Sequence, residues 1–248
     1  MGSANPYLAD WARCQPNSRS GSPILDVGCA YGRNAAAAHR ELMRRSGPPP
    51  DGRPWIVAAD CDGAHLAEVD ALGLSGVVTA HCRLPAGPPA GIGRGALSGI
   101  LLSEVVHFLR EGELEASLRW MHDALEDGGR LFITAGSYLC NLLGPDCPIG
   151  KHARERRRAL GPGGVDVRAI VLSDAAAQAA WRRELHTAPA DSAPTYLRWY
   201  GEELAQACRD AGLFVVECKF EFREGYKEAF RNDGRECVHV HCVRVGGG

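Results

Sequence analysis

The chain has 248 residues, 45% of them hydrophobic and 23% charged, with a formal net charge of -2. That length suits one α/β domain, or one domain with an insertion, and either buries an adequate core. The near-neutral balance offers no general attraction to phosphate backbones, so nucleic acid is not an expected partner, and no stretch approaches the roughly 18 apolar residues of a membrane span. The ten cysteines lie scattered without CxxC pairs, and the opening MGSANPYLADW has no apolar signal region, which predicts free thiols and a soluble, cytoplasmic protein.

In chain order, Tyr7 and Trp11 come first, four residues apart and therefore on one face of a helix if that segment is helical. An apolar strand follows at 23–27, an Ala-rich helix at 34–45, and a breaker sequence, SGPPPDGRP, whose prolines force an extended loop. The next strand, 55–59, ends in Asp60; a helix at 63–72 and a strand at 76–80 come after it. Beyond a Pro/Gly-rich connection at 85–95, the pattern predicts a strand at 96–102 and a helix at 111–126. That helix carries Leu114, Leu118, Met121 and Leu125 at helical spacing. Asp127, Gly128 and Gly129 read as a tight turn into a strand at 130–135. Such alternation is the pattern of a parallel sheet covered by helices on both faces.

From 136 to about 196 the rhythm stops, for longer than a bare loop in a compact domain allows, so part of this insertion is expected to be helical, notably 174–185. Within it, KHARERRR at 151–158 reads as a solvated helix face, or as a site for an acidic substrate or partner. The rhythm resumes with a helix at 201–211, a stop at Gly212, and strands at 213–222 and 237–245 that are expected to pair antiparallel.

The most informative segment is ILDVGCAYG at 24–32, where an apolar strand runs into a carboxylate and then small residues. Gly28, Ala30 and Gly32 make a turn whose backbone can approach a ligand closely. Asp26 argues against a dinucleotide, because a fixed carboxylate just before the turn repels a pyrophosphate. A cationic ligand is favoured, and S-adenosylmethionine carries a sulfonium and an ammonium. The full GxGxxG spacing also fails, since Ala30 replaces a glycine and Arg33 and Asn34 follow.

The chain resembles a class I S-adenosylmethionine-dependent methyltransferase of the small-molecule type. LDVGCAYG is similar to that family's first motif, LLSEVVHFL at 101–109 to its strand-four segment, LEDGGRLFI at 125–133 to its turn into strand five, and the C-terminal helix and hairpin to its last elements. The resemblance implies a Rossmann-like, seven-stranded, mostly parallel sheet with an antiparallel C-terminal hairpin. It covers a single domain, 1–248, with a substrate-covering insertion at about 136–196. It also implies a donor site of Asp26, Gly28, Cys29, Ala30, Gly32, Asp60, Cys61, Cys82 and Ser103. Asp60 falls where the family has the acid that accepts hydrogen bonds from both ribose hydroxyls, a task suited to a carboxylate; Asp62 is the alternative. His81, Cys82 and Arg83 leave the adenine contact open, with the Cys82 amide as its candidate donor.

Methyl transfer from a sulfonium is an in-line displacement, so alignment and water exclusion matter most. For a phenol, amine or thiol acceptor a base helps, and His107, just after strand four, is the candidate; its bland reading is a packed or capping histidine. Glu104 belongs with the acceptor pocket. Tyr7 and Trp11 would close the site, and Tyr138, Tyr196 and Tyr200, with Trp199, would wall the acceptor; ordinary packing is the alternative for all of them. Cys237, His239 and His241 alternate on one strand face, which is ordinary sheet rather than a metal site. The expected function is methyl transfer to an O, N or S nucleophile of a small molecule, with a macromolecular methyltransferase or a catalytically silent cofactor-binding scaffold as alternatives.

Overall fold

The computed structural model describes residues 5, 7–14, 21–48, 53–140, 147–185, 193–222, 231 and 233–246. Seven strands form one sheet: β1 (Ile24–Val27), β2 (Ile56–Asp60), β3 (Val77–His81), β4 (Leu97–Ser103), β5 (Leu125–Gly136), β8 (Phe214–Glu221) and β9 (Cys237–Val243). Their order is β3-β2-β1-β4-β5-β9-β8. Strands β1 to β5 run parallel, and β9 is antiparallel to both β5 and β8, so one strand of the seven runs against the rest.

Strands β1, β2 and β4 are buried almost throughout, which is why they read as unbroken apolar runs rather than as alternating ones. Their side chains divide between two layers. Leu25, Val27, Val57, Ile100, Leu102 and Ile133 pack with α4 (Glu113–Ala124) and α8 (Glu203–Asp210) on one face. Ile24, Ile56, Ala58, Leu101 and Phe132 pack with α1 (Leu8–Cys14) and α2 (Arg33–Ser46) on the other. Gly99 in β4 permits the approach of α1, since a Cβ there would lie 3.0 Å from Cys14 Cβ. Helix α3 (Gly63–Ala71) flanks β2 and β3. The ten cysteines are free thiols.

The segment Asp127, Gly128 and Gly129 is not a turn preceding β5 but a bulge inside it. Leu125 pairs with Leu97, and Arg130 already pairs with Gly99, so the extra residues loop out of register. Two backbone bonds hold this bulge, from Gly128 N–H to Arg244 O and from Arg244 N–H to Gly129 O, each 2.9 Å.

The expected insertion contains α5 (Pro148–Leu160), α6 (Val167–Ser173) and α7 (Ala175–Leu185), with a small antiparallel pair of β6 (Gly164–Val165) and β7 (Leu197–Arg198). Ile149, Val167, Val171, Ala177, Trp181 and Trp199 give it an apolar cluster of its own. KHARERRR lies on α5 and is not simply a solvated face: Arg157 makes a bidentate ion pair with Glu203 at the start of α8, at 2.7 and 2.8 Å. The breaker before β2 and the insertion fall partly outside the described residues, at 49–52, 141–146 and 186–192. No helix among the described residues is long and apolar enough to cross a membrane.

Candidate functional site

At the carboxyl ends of β1, β2 and β4, where open α/β sheets bind ligands, three turns converge. The first follows β1. Gly28, Ala30 and Gly32 all adopt left-handed backbone, with φ of 71, 46 and 70°. Gly28 is demanded twice over, because a Cβ there would meet Val105 Cγ2 at 2.4 Å. The turn is pinned by Gly28 and Cys29 N–H groups that both donate to Ala59 O, at 2.8 and 3.0 Å.

Asp60 braces the same turn from β2. Its two carboxylate oxygens accept from Ala30 N–H at 2.8 Å and from Asp62 N–H at 2.9 Å. Burial works to raise this acid, but the Asp62 and Ala30 amides, and then His65, outweigh it and hold Asp60 below the ordinary carboxylate range. A carboxylate offers about four acceptor positions, so with two amides bound and His65 Nδ1 3.4 Å from Oδ1, Asp60 still has room to accept from a ligand's hydroxyls. Asp62 is committed elsewhere: its side chain caps α3 by accepting from Ala64 N–H at 2.8 Å. Cys61, between the two acids, is exposed.

Asp26 is wholly buried, and no well-formed hydrogen bond from the described residues reaches either of its oxygens, the Ala35 N–H being the one donor that acts on it. Burial pushes it up to about 7, against a pull from the Ala35 N–H and with a further push from Asp60. A buried, unsatisfied acid beside a turn stripped of side chains is suited to a cation, which would restore its charge.

Ser103 Oγ accepts from Asn5 Nδ2 at 2.9 Å, and the same amide reaches Thr134 Oγ1, also at 2.9 Å. Thr134 in turn lies 3.2 Å from His239 Nδ1, so one buried polar chain ties the N-terminal segment to β4, β5 and β9. Glu104 is held at φ 60° with its N–H on Thr134 O. His107, in a single 3-10 turn at Val106–Phe108, points Nδ1 toward Glu104 Oε2 at 3.8 Å. Tyr200 supports that turn, donating its hydroxyl to Val106 O at 2.9 Å.

Three expectations need correction. The Cys82 amide donates to Asp60 O at 3.0 Å, so its backbone N–H is engaged within the sheet edge rather than offered to an adenine. Trp11 is fully buried in the middle of the sheet face against α2, and Tyr7 packs on Phe132 and His239 with its hydroxyl on Glu217, so neither ring presents a wall to a ligand. Tyr200 is likewise buried beneath the site and acts as a brace. Tyr138 and Tyr196 lie on the insertion side, each with an arginine over its ring, Arg157 at 4.0 Å and Arg110 at 5.5 Å. Cys237 and His239 are buried in the sheet, and His241 stacks on Phe132.

Sequence reasoning missed His65, whose Nδ1 lies 3.4 Å from Asp60 Oδ1 and whose ring meets Tyr31 edge-on at 4.7 Å. Its only signal was a place in the first turn of α3. It also missed Asn5, the link to Ser103 and Thr134.

The strand order, with its reversal between β1 and β4 and its antiparallel penultimate strand, is matched by solved structures over nearly the whole chain. An S-adenosylmethionine-dependent methyltransferase from Mesorhizobium loti aligns over 95% of this chain and 98% of its own, at 16% identity and a TM-score of 0.56. The fold is that of the class I S-adenosylmethionine-dependent methyltransferases. A second such methyltransferase, from Methanosarcina mazei, covers 98% of this chain and 99% of its own at 8% identity and a TM-score of 0.62. A geranyl diphosphate C-methyltransferase from Streptomyces coelicolor, solved with S-adenosyl-L-homocysteine, covers 90% of this chain and 71% of its own at 13% identity and a TM-score of 0.56. No family model and no curated protein matches the sequence. Within this methyltransferase fold, the glycine turn, Asp26 and Asp60 stand at the carboxyl edge of the first two strands.

Proposed function

We propose that the protein is an enzyme that transfers a methyl group from S-adenosylmethionine to an O, N or S nucleophile of a small molecule, within a single domain whose insertion selects the acceptor. The observation that carries this reading is Asp26, a buried acid with unsatisfied oxygens beside a left-handed glycine turn. Asp26 would face the cofactor's positively charged end, and the remaining acceptor positions of Asp60 would take the ribose hydroxyls. Gly28, Cys29, Ala30 and Gly32 would let the backbone close on the ligand, with Cys61, Cys82 and Ser103 at the margins.

The cofactor supplies, when bound, a methyl group already activated on a sulfonium. The chain's share is alignment, exclusion of water and removal of a proton. His107 is the group we assign to that proton: it stands after β4, is oriented beside Glu104, and is fixed from below by Tyr200. Glu104, Tyr138 and Tyr196 would line the acceptor side. Free thiols fit a reducing, cytoplasmic setting.

Among the structural neighbours, one is named as a geranyl diphosphate C-methyltransferase, while a methyltransferase in complex with the Trm112 activator of Haloferax volcanii is named without a substrate. The net charge of -2 and the engagement of Arg157 with Glu203 favour a small acceptor over a nucleic acid. Purified protein incubated with S-adenosylmethionine and pooled metabolites, read by mass for a gain of one methylene, tests the proposal. Binding of the cofactor without turnover across such a pool would support the silent scaffold, and no binding of the cofactor at all would overturn the reading.

A further inference from the structure

Arg198 ends the two-residue strand β7, where the insertion returns to the sheet. It is only 8% exposed. Its Nε and Nη1 are sealed from solvent and donate to nothing among the described residues. No described carboxylate lies within the 4.0 Å of an ion pair. Its guanidinium carbon lies 4.8 Å from the centroid of the Tyr200 ring. A cation–π contact satisfies the charge in part but accepts none of the N–H donors.

A buried guanidinium without an acceptor is costly, and an arginine cannot shed its proton to escape the cost. Such a group persists where something outside the chain completes it. Its position says what that something is near. Tyr200, on which Arg198 lies, donates its hydroxyl to Val106 O, one residue from His107, and β7 packs against this same turn. The guanidinium therefore sits next to the turn that carries the assigned base, on the side where we place the acceptor.

We propose that Arg198 is the anchor for an oxyanion on the methyl acceptor, so that the acceptor class is an anionic small molecule, a carboxylate or a phosphate monoester, held by the guanidinium with its nucleophilic atom toward His107. This rests on the small-molecule reading above. Planar guanidinium matches both oxyanions through paired, charge-assisted hydrogen bonds, and its desolvation makes those bonds stronger than at a surface. Glu115 on α4 acts electrostatically on the same Tyr200 yet makes no ion pair with Arg198, and one of its own oxygens is buried and unpartnered too.

The test uses the full chain in a phosphate-free buffer, with benzoate and phenyl phosphate as probes, titrated calorimetrically with and without saturating S-adenosylhomocysteine. At least one probe is expected to bind the wild type and to lose tenfold or more in affinity in Arg198→Met, with a smaller loss in Arg198→Lys, while S-adenosylhomocysteine affinity stays within twofold. Which probe binds distinguishes a carboxylate from a phosphate acceptor. The ligand-free Arg198→Met variant is expected to melt higher than the wild type, by roughly 2–4 °C, because removing an unsatisfied charge relieves more than the ring contact contributes. Absence of binding by both probes, binding indifferent to Arg198→Met, or a fall in melting temperature shared by Arg198→Met and Glu115→Gln would overturn the proposal, the last by showing that the two groups stabilise one another. Failure of S-adenosylhomocysteine to bind, with Arg198-dependent anion binding intact, would instead remove the methyltransferase reading and leave the anion site standing.

Discussion

The glycine-turn edge of the sheet, where we place the methyl donor, and the insertion are held by different means. At the donor edge the backbone does the holding: Gly28 and Cys29 share Ala59 O, and Asp60 clamps the amides of Ala30 and Asp62. On the insertion side the holding is between side chains, Arg157 with Glu203, 46 residues further on, and Arg198 on the ring of Tyr200. Backbone geometry is dictated by a short local motif, whereas a pair such as 157 and 203 depends on where two helices dock. The glycine-turn edge is thus fixed by a local motif and the insertion by long-range docking, a division suited to folds that host many functions.

The sharpest way to break this comparison is at Asp60. Asp60→Ala is expected to weaken cofactor binding by on the order of 2–4 kcal/mol, since it removes both the brace on the turn and the acceptor for ligand hydroxyls. Unchanged affinity by calorimetry would take Asp60 out of that role. Next, His107→Ala is expected to lower turnover by about 100-fold while sparing donor affinity, which separates the two edges directly. A rate that survives across pH would leave His107 as a structural group.

Asp26→Asn is expected to cost about 2 kcal/mol of cofactor affinity at pH 8, by withdrawing a buried charge from a cationic ligand. The pH dependence gives the sign. Because the folded protein holds Asp26 protonated up to about 7, while the unfolded chain releases that proton near the ordinary carboxylate value of 3.8, the stability of the ligand-free wild type falls as pH rises between those values and then levels off. Cofactor affinity moves the other way, rising as pH passes 7 and the acid ionises. Thermal melts and titrations from pH 5 to 8 in the Asn variant are expected to lose both slopes. Slopes that persist would place their origin at another group.

On the insertion side, Arg157→Ala is expected to destabilise the protein by about 1–2 kcal/mol in chemical unfolding and to leave donor binding intact, the pair with Glu203 being bidentate but only partly buried. A loss of donor affinity of similar size would show that the two edges are coupled. The smallest effect is at Ala30. Its φ of 46° is a left-handed conformation that strains an alanine, so Ala30→Gly is expected to stabilise the turn by about 0.5–1 kcal/mol. No gain would mean that the entropy of the added glycine cancels the relief.

Sequence patterning reached the donor edge and stopped short of the acceptor side, for reasons visible in single residues. Buried strands such as Ile24–Val27 and Leu97–Ser103 announce themselves as apolar runs, and the small residues at 28, 30 and 32 mark a turn because steric exclusion acts locally. Tyr7 and Trp11 misled because an aromatic pair on a helix face looks alike whether it faces a ligand or Phe132 and α2. The 127–129 bulge misled because Asp-Gly-Gly also serves a turn, and only pairing with Arg244 and Gly99 decides which it is.

What the chain determined by itself is therefore the order of strands and helices, the glycine turn and the two acids that flank it, because backbone sterics and apolar periodicity are short-range. The tertiary structure alone decided that Asp26 is buried with no well-formed hydrogen bond from the described residues, that Asn5 binds β4 to β5, and that Arg198 lies desolvated beside the His107 turn. Desolvation and pairing depend on which distant segments meet, and that is a property of the packed molecule rather than of any stretch of its sequence.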